Sequence, residues 1–307
     1  MKPSRREVAR KVLRKLVSPR ELVSYIEFKF VSGNEYPYFD FSEFMPWLSR
    51  SLNYITPSQL DYEKPVFIAG LRRSGTTMFY RLMNANSKLF MYNERFPGDR
   101  LNGRTTATSR NIFSLDDMTV FRRTVSRFIS PVIRSQYSRW GVKLALELAH
   151  PDPGSISVSN IRKIMDAFPD GRVIGIVRDP RDFVLSALSR GGHNEQWWID
   201  EYRIMMDIFS ELNNERMDSF RFIQYESLVK DPAGEIASCC EFADLPFEQR
   251  MLDSAEWSVK GPKEYESSGI IVHTDKWRKA SGDQKAIVGR VTEACFPHAQ
   301  VFGYEKD

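Results

Sequence analysis

The chain reads as an α/β protein of three layers, with a mainly parallel sheet and helices on both faces. Three observations predict this. Short continuous apolar runs of strand length recur along the sequence, bounded by Pro or Gly. Segments of helical character follow them, so strands and helices alternate. Basic and hydroxyl residues gather in the turns after the strands, where open α/β sheets bind ligands.

The first run is Pro65-Val66-Phe67-Ile68-Ala69-Gly70. Its unbroken hydrophobicity is that of a parallel strand buried on both faces. Met78 to Met83 then has helical character, which makes Leu71 to Thr77 a strand-to-helix turn. The second run, Arg172 to Val177, follows the turn Phe168-Pro169-Asp170-Gly171 and ends at Arg178-Asp179-Pro180-Arg181. A helix is expected from Asp182 to Leu188, with Asp179 and Asp182 favourable beside its positive end. Phe220 to Tyr225 is the third strand. Trp197, Trp198 and Tyr202 open a helical stretch and read as core. No repeat, low-complexity tract or linker interrupts the pattern. One domain is therefore expected over 61–307, with residues 1–60 as an aromatic-rich arm packed on it.

Composition narrows the function classes. The 307 residues are 42% hydrophobic and 27% charged, enough apolar matter for a real core. No run approaches the roughly 20 apolar residues of a membrane span. The basic start Met1 to Arg6 is not followed by the apolar stretch of a secretory signal. Val8, Val12, Leu13, Leu16 and Val17 sit at helical spacing in a basic segment. That segment reads as a surface helix docked on the domain, with peripheral membrane contact as the alternative. Cys239, Cys240 and Cys295 show neither a disulfide framework nor zinc spacing. They read as reduced, buried fillers, which suits a cytoplasmic protein. The net charge of +4 fits an anionic ligand. Without a recognition motif or a long basic stripe, nucleic acid is not an expected partner. No metal-ligand cluster is seen, and no metal is expected.

Two segments carry the chemistry. In Leu71-Arg72-Arg73-Ser74-Gly75-Thr76-Thr77, a strand-to-helix loop directs backbone N–H groups outward at a positive helix end. Gly75 permits close approach, Ser74, Thr76 and Thr77 add hydroxyls, and Arg73 adds a cation. Gly70 and Gly75 have the spacing of an NTP-binding loop, yet Thr76 stands where that loop needs Lys. The second segment is Val177 to Asp182 with Ser186 downstream. Arg178 at a strand end and Ser186 in the next helix could clamp a separate phosphate.

Gly70 to Thr77 resembles the G-x-P-R-S-G-T-T loop of the sulfotransferases that use 3′-phosphoadenosine 5′-phosphosulfate (PAPS), with Arg72 replacing the usual Pro. Val177 to Asp182 with Ser186 resembles the 3′-phosphate element of the same family. The resemblance implies a P-loop NTPase-like sulfotransferase fold. It assigns Arg72, Arg73, Ser74, Gly75, Thr76 and Thr77 to the 5′-phosphosulfate, and Arg178 and Ser186 to the 3′-phosphate. Tyr225-Glu226-Ser227-Leu228 with Pro232 resembles the family's Y-E-x-L-x-x-x-P segment, and places Tyr225 near the nucleotide or in a strand-to-helix turn. Lys276-Trp277 resembles the lysine-tryptophan element of a covering loop, with Lys276 as the contact. The similarity runs from about Val66 to Tyr304 and is poor over about 95–138, the segment expected to shape the acceptor site.

The resemblance implies transfer of a sulfuryl group from PAPS to an acceptor hydroxyl or amine, releasing 3′,5′-adenosine diphosphate. Trp140-Gly141-Val142-Lys143 resembles a family strand whose lysine stabilises developing charge, but the histidine of the small-molecule enzymes is replaced by Ala145. In the tyrosylprotein, carbohydrate and bacterial type a glutamate after the first helix is the base, which points to Glu94. Small-molecule, glycan, lipid and peptide acceptors all remain open. The competing readings are a P-loop kinase or related NTP enzyme, and a non-catalytic nucleotide-binding module of the same fold. His150, His193, His273 and His298 read as structural or surface residues.

Overall fold

A computed structural model describes residues 60–93, 137–146, 158–191, 193–253, 270 and 273–306. The strands are β1 (Val66–Leu71), β2 (Leu89–Asn93), β3 (Arg139–Leu146), β4 (Arg172–Val177) and β5 (Phe220–Gln224). The helices are α1 (Thr76–Asn84), α2 (Val158–Ala167), α3 (Pro180–Leu188), α4 (Glu195–Glu215), α5 (Tyr225–Lys230), α6 (Pro232–Phe242) and α7 (Asp283–Ala299). All strand pairs are parallel, in the order β2-β3-β1-β4-β5. The expected three-layer α/β architecture is the one observed.

The continuous apolar runs have the expected cause. In β1 every residue is buried. Phe67, Ala69 and Leu71 enter one core, while Val66 and Ile68 enter the other. In β4, Val173 and Val177 divide from Ile174 and Ile176 in the same way. The first core is closed by Ile161 and Ile164 of α2, Phe183 of α3, Phe209 of α4 and Phe296 of α7. The second is closed by Phe79 and Leu82 of α1 and by Ile236 and Cys239 of α6. Each large apolar side chain so buried contributes about 1.5–3 kcal/mol. Trp197, Trp198 and Tyr202 are core residues of α4, and the three cysteines are buried free thiols.

Past α7 the chain is fastened back onto α5 and α3. The Tyr304 hydroxyl donates to Glu226 Oε2 at 2.7 Å. The Arg181 guanidinium donates to the carbonyls of Lys306 and Glu305, each at 3.2 Å. No described helix is long and apolar enough to cross a membrane. The arm expected over 1–60 and the insertion expected over about 95–138 fall almost wholly outside the described residues.

Candidate active site

The loop between β1 and α1 is built by two left-handed residues, Arg73 at φ 77° and Gly75 at φ 98°. Gly75 precedes α1, and a Cβ added there would lie 2.4 Å from Tyr225 Cδ2. Only glycine meets both demands, conformation and contact. Both the N–H and the hydroxyl of Ser74 turn back to the Leu71 carbonyl. Thr76 is buried as the first residue of α1. The first N–H groups of α1 lack intrahelical acceptors and lie at the positive end of its dipole. Arg72 is exposed beside this loop.

Lys143 comes to the same place from β3, in register with Ile68 of β1. It is 3% exposed, and its Nζ donates to Thr77 Oγ1 at 3.0 Å. Asn93, the last residue of β2, is in register with Lys143. Glu94 is next in sequence and lies outside the described residues.

The turn after β4 separates two neighbouring arginines by task. Asp179 caps α3 by accepting the Arg181 N–H at 2.8 Å, and it also holds the Arg181 guanidinium at 2.7 Å. Arg178 faces the other way. It is 4% exposed, and its Nη1 donates to the Arg73 carbonyl at 2.8 Å. Its Nη2 donates to the His273 carbonyl, and the guanidinium stands 4.6 Å from the centre of the Tyr225 ring. Its Nε is a buried donor with no partner among the described residues. Ser186 Oγ in α3 accepts from Arg73 Nε at 3.4 Å, a long and weak bond. Two segments about a hundred residues apart in sequence thus form one cationic cluster at the C-terminal ends of β1 and β4.

A buried network holds that turn. Glu226 Oε1 accepts the Asp179 N–H at 3.1 Å, and Oε2 accepts the Tyr304 hydroxyl. Burial raises the Glu226 carboxyl above its usual range. The Tyr202 hydroxyl donates to the Arg178 carbonyl at 2.9 Å. Tyr225, expected to end the third strand, instead begins α5, where its ring covers Gly75 and Arg178. The short 3₁₀ turn Lys276–Lys279 packs over the cluster. Its Trp277 N–H donates to Asp182 Oδ1 at 3.0 Å, and its ring stacks 3.6 Å from the Arg181 guanidinium. Lys276 is exposed. Its charge still reaches His273 and helps to depress that imidazole.

The structure therefore unites the Arg72–Thr77 loop, Lys143, Arg178, Ser186, Tyr225 and Lys276. The backbone of His273, read from the sequence as a structural or surface residue, is fastened beside them, and its side chain is exposed. The other described histidines lie elsewhere: His193 stacks on Trp197, and His298 Nδ1 meets Asp207 at 2.5 Å on the surface. Nothing in the T-D-K-W neighbourhood marks His273, because its place depends on backbone bonds to Arg178 and Tyr225.

Fold and cluster together describe a parallel α/β protein with a cationic strand-to-helix loop at the end of its central strand. A family model described as the sulfotransferase family matches residues 65–249. The chain belongs to the sulfotransferase family, and sulfuryl transfer is the chemistry of that class. A putative protein-tyrosine sulfotransferase of Caenorhabditis briggsae is 27% identical over 213 residues, which is 64% of this chain and 71% of that one. The Drosophila melanogaster protein-tyrosine sulfotransferase is 22% identical over 259 residues, 78% of this chain. The chain spans about half the length of that relative, 51%. Among solved structures, the sulfotransferase domain from the curacin biosynthetic pathway has the same fold, with TM-score 0.50, 19% identity, and coverage of 79% of this chain and 98% of that one. The family match does not favour the kinase reading.

Proposed function

We propose that the chain transfers a sulfuryl group from PAPS to a hydroxyl on a peptide or protein, releasing 3′,5′-adenosine diphosphate. The observation that carries this reading is the joining of Arg73, Ser186 and Arg178 into one cluster. A donor with phosphates at both its 3′ and 5′ positions needs two anion sites a ribose apart, and a single loop would not serve it. The buried, unpartnered Nε of Arg178 fits a phosphate oxygen. The acceptor class rests on the relatives, whose names specify protein tyrosine.

PAPS, when bound, supplies an activated sulfuryl group. Arg73 and the N–H groups of residues 75–77 would hold its 5′ end, and Arg178 with Ser186 its 3′-phosphate. Lys143, fixed on Thr77, would stabilise charge developing on the leaving oxygen. Glu94 would take the proton from the acceptor hydroxyl.

Thermal shift with 3′,5′-adenosine diphosphate, against AMP and Mg-ATP, tests the donor, since a ligand of the folded state raises apparent stability. A shift with the bisphosphate alone is expected, and a shift with Mg-ATP alone would overturn the reading. Turnover of a tyrosine peptide tests the acceptor. Glu94→Gln should keep bisphosphate affinity and lose about 10²–10⁴-fold in rate. Near-normal turnover would put the base elsewhere.

A further inference from the structure

His273 belongs to no element that the family resemblance assigns, yet its backbone is fastened inside the cluster. Its carbonyl accepts from Arg178 Nη2, and its N–H donates to the Tyr225 hydroxyl at 3.2 Å. The side chain itself is exposed. The charges of Lys276 in its own loop, Arg178 at the end of β4 and Arg73 of the β1–α1 loop all act on it. Burial first, and then these charges, hold the imidazole below its usual range. It is therefore mainly neutral near pH 7.

The other ionisable groups on the packed elements are mostly committed, the exception being Asp182, whose Oδ2 is buried without a partner among the described residues. The Tyr225 phenol is held neutral by burial. Asp182 lies beside Arg178, has one oxygen on the Trp277 N–H, and is raised by burial. Asp275 pairs with Arg278 at 3.0 Å. Glu226 is committed to Asp179 and Tyr304. Neighbouring cations oppose a positive imidazole, and an anion bound among them would favour it.

We infer that His273 is a further phosphate-binding residue, which takes up a proton as a bisphosphate nucleotide binds and then donates to its 3′-phosphate. The inference rests on the PAPS reading. Its sign follows from linkage. The bound phosphate raises the imidazole pKa, so the complex binds more protons than the free protein, and affinity rises as pH falls through the interval between the two values. Neutral imidazole has one N–H donor and the cation has two, so protonation adds a donor as well as charge.

The experiment is calorimetric titration of 3′,5′-adenosine diphosphate from about pH 8 to about pH 6 with wild type, His273→Asn and His273→Lys. Each variant keeps the backbone bonds, and urea unfolding checks that each is folded. The phosphate titrates near pH ~6 in every case, so comparison between proteins removes its contribution. Wild type should gain about threefold or more in affinity over His273→Asn as pH falls, corresponding to about half a unit of differential pKa. Near pH 7, buffers of differing ionisation heat should show extra proton uptake for wild type alone. His273→Lys should bind at about pH 8 at least as tightly as wild type and lack the wild-type slope. Parallel pH profiles for wild type and His273→Asn would overturn this inference while leaving the donor assignment intact. Failure of wild type to bind the bisphosphate at any pH would overturn the donor assignment and this inference with it.

Discussion

Arg178→Ala separates two tasks that the structure gives one guanidinium. Arg178 ties the β1–α1 loop to the 273 segment through the carbonyls of Arg73 and His273, and it stacks on Tyr225. Hydrogen bonds from a charged group are worth about 1.5–3 kcal/mol each. The stack adds about 0.5–2 kcal/mol. Releasing a buried cation with one unpartnered donor offsets part of this, by as much as several kcal/mol. The net expectation is a loss of about 2–4 kcal/mol, with two part-buried carbonyls left short of a donor. At about 2–4 °C per kcal/mol, a loss near the middle of that range lowers Tm by roughly 6–12 °C. Bisphosphate affinity should fall about 10–100-fold, the worth of one charge-assisted bond to phosphate. Arg178→Lys should recover more of the affinity than of the stability, because an ammonium cannot fork across two carbonyls and stack. Urea unfolding and calorimetry of the folded fraction read the two losses independently. An alanine variant with a wild-type urea midpoint would refute the bridging argument, and one with wild-type affinity would refute the phosphate assignment.

Three further outcomes are expected. Gly75→Ala must carry a Cβ at φ 98° and 2.4 Å from Tyr225. It should cost about 1–2 kcal/mol for conformation and about 1–3 kcal/mol for crowding, so an unchanged urea midpoint would contradict the loop geometry. Asp182 is raised by burial, so its neutral form is favoured in the fold and stability is lost as pH rises from the ordinary carboxylate range through the raised value. Asp182→Asn should therefore stabilise the protein at neutral pH and lose that advantage near pH ~4. Midpoints that differ equally at both pH values would refute the assignment. Burial pushes the thiols of Cys239, Cys240 and Cys295 up to about 12. A disulfide-exchange dye should find no rapidly reacting thiol in the native protein and all three in denaturant, and a fast native thiol would contradict their burial.

The sheet was legible where both faces of a strand are covered. Arg172 to Val177 is a strand with the very bounds its sequence suggests, because each side chain in it is apolar or at an end. β3 was not legible from hydrophobicity, since Gly141 and Lys143 interrupt it. Lys143 is tolerated inside the sheet because its ammonium ends on Thr77, a contact that local sequence does not encode. Tyr225 misled in the opposite direction. An aromatic residue after Phe220-Arg221-Phe222-Ile223-Gln224 extends a strand pattern, while the chain turns into α5 to lay that ring over Gly75. The residues of the cationic cluster were noticed as two separate motifs. What neither motif revealed is that Arg178 bonds backbone 105 residues away. For the same reason His273 was invisible, being placed by partners 48 and 95 residues distant.

The clasp formed by Arg181 on the carbonyls of Glu305 and Lys306 also bears on biosynthesis. Those partners lie 124 and 125 residues downstream of the arginine. At about 5–20 residues per second, the ribosome needs roughly 6–25 s to reach them after making the turn. Throughout that interval the nascent turn at 178–182 lacks its last fastening, and Glu226, once made, still lacks the Tyr304 phenol. The turn at 178–182 is therefore among the last parts of the molecule to mature, and a chain stalled after β5 would carry every strand of the sheet with that turn unfinished.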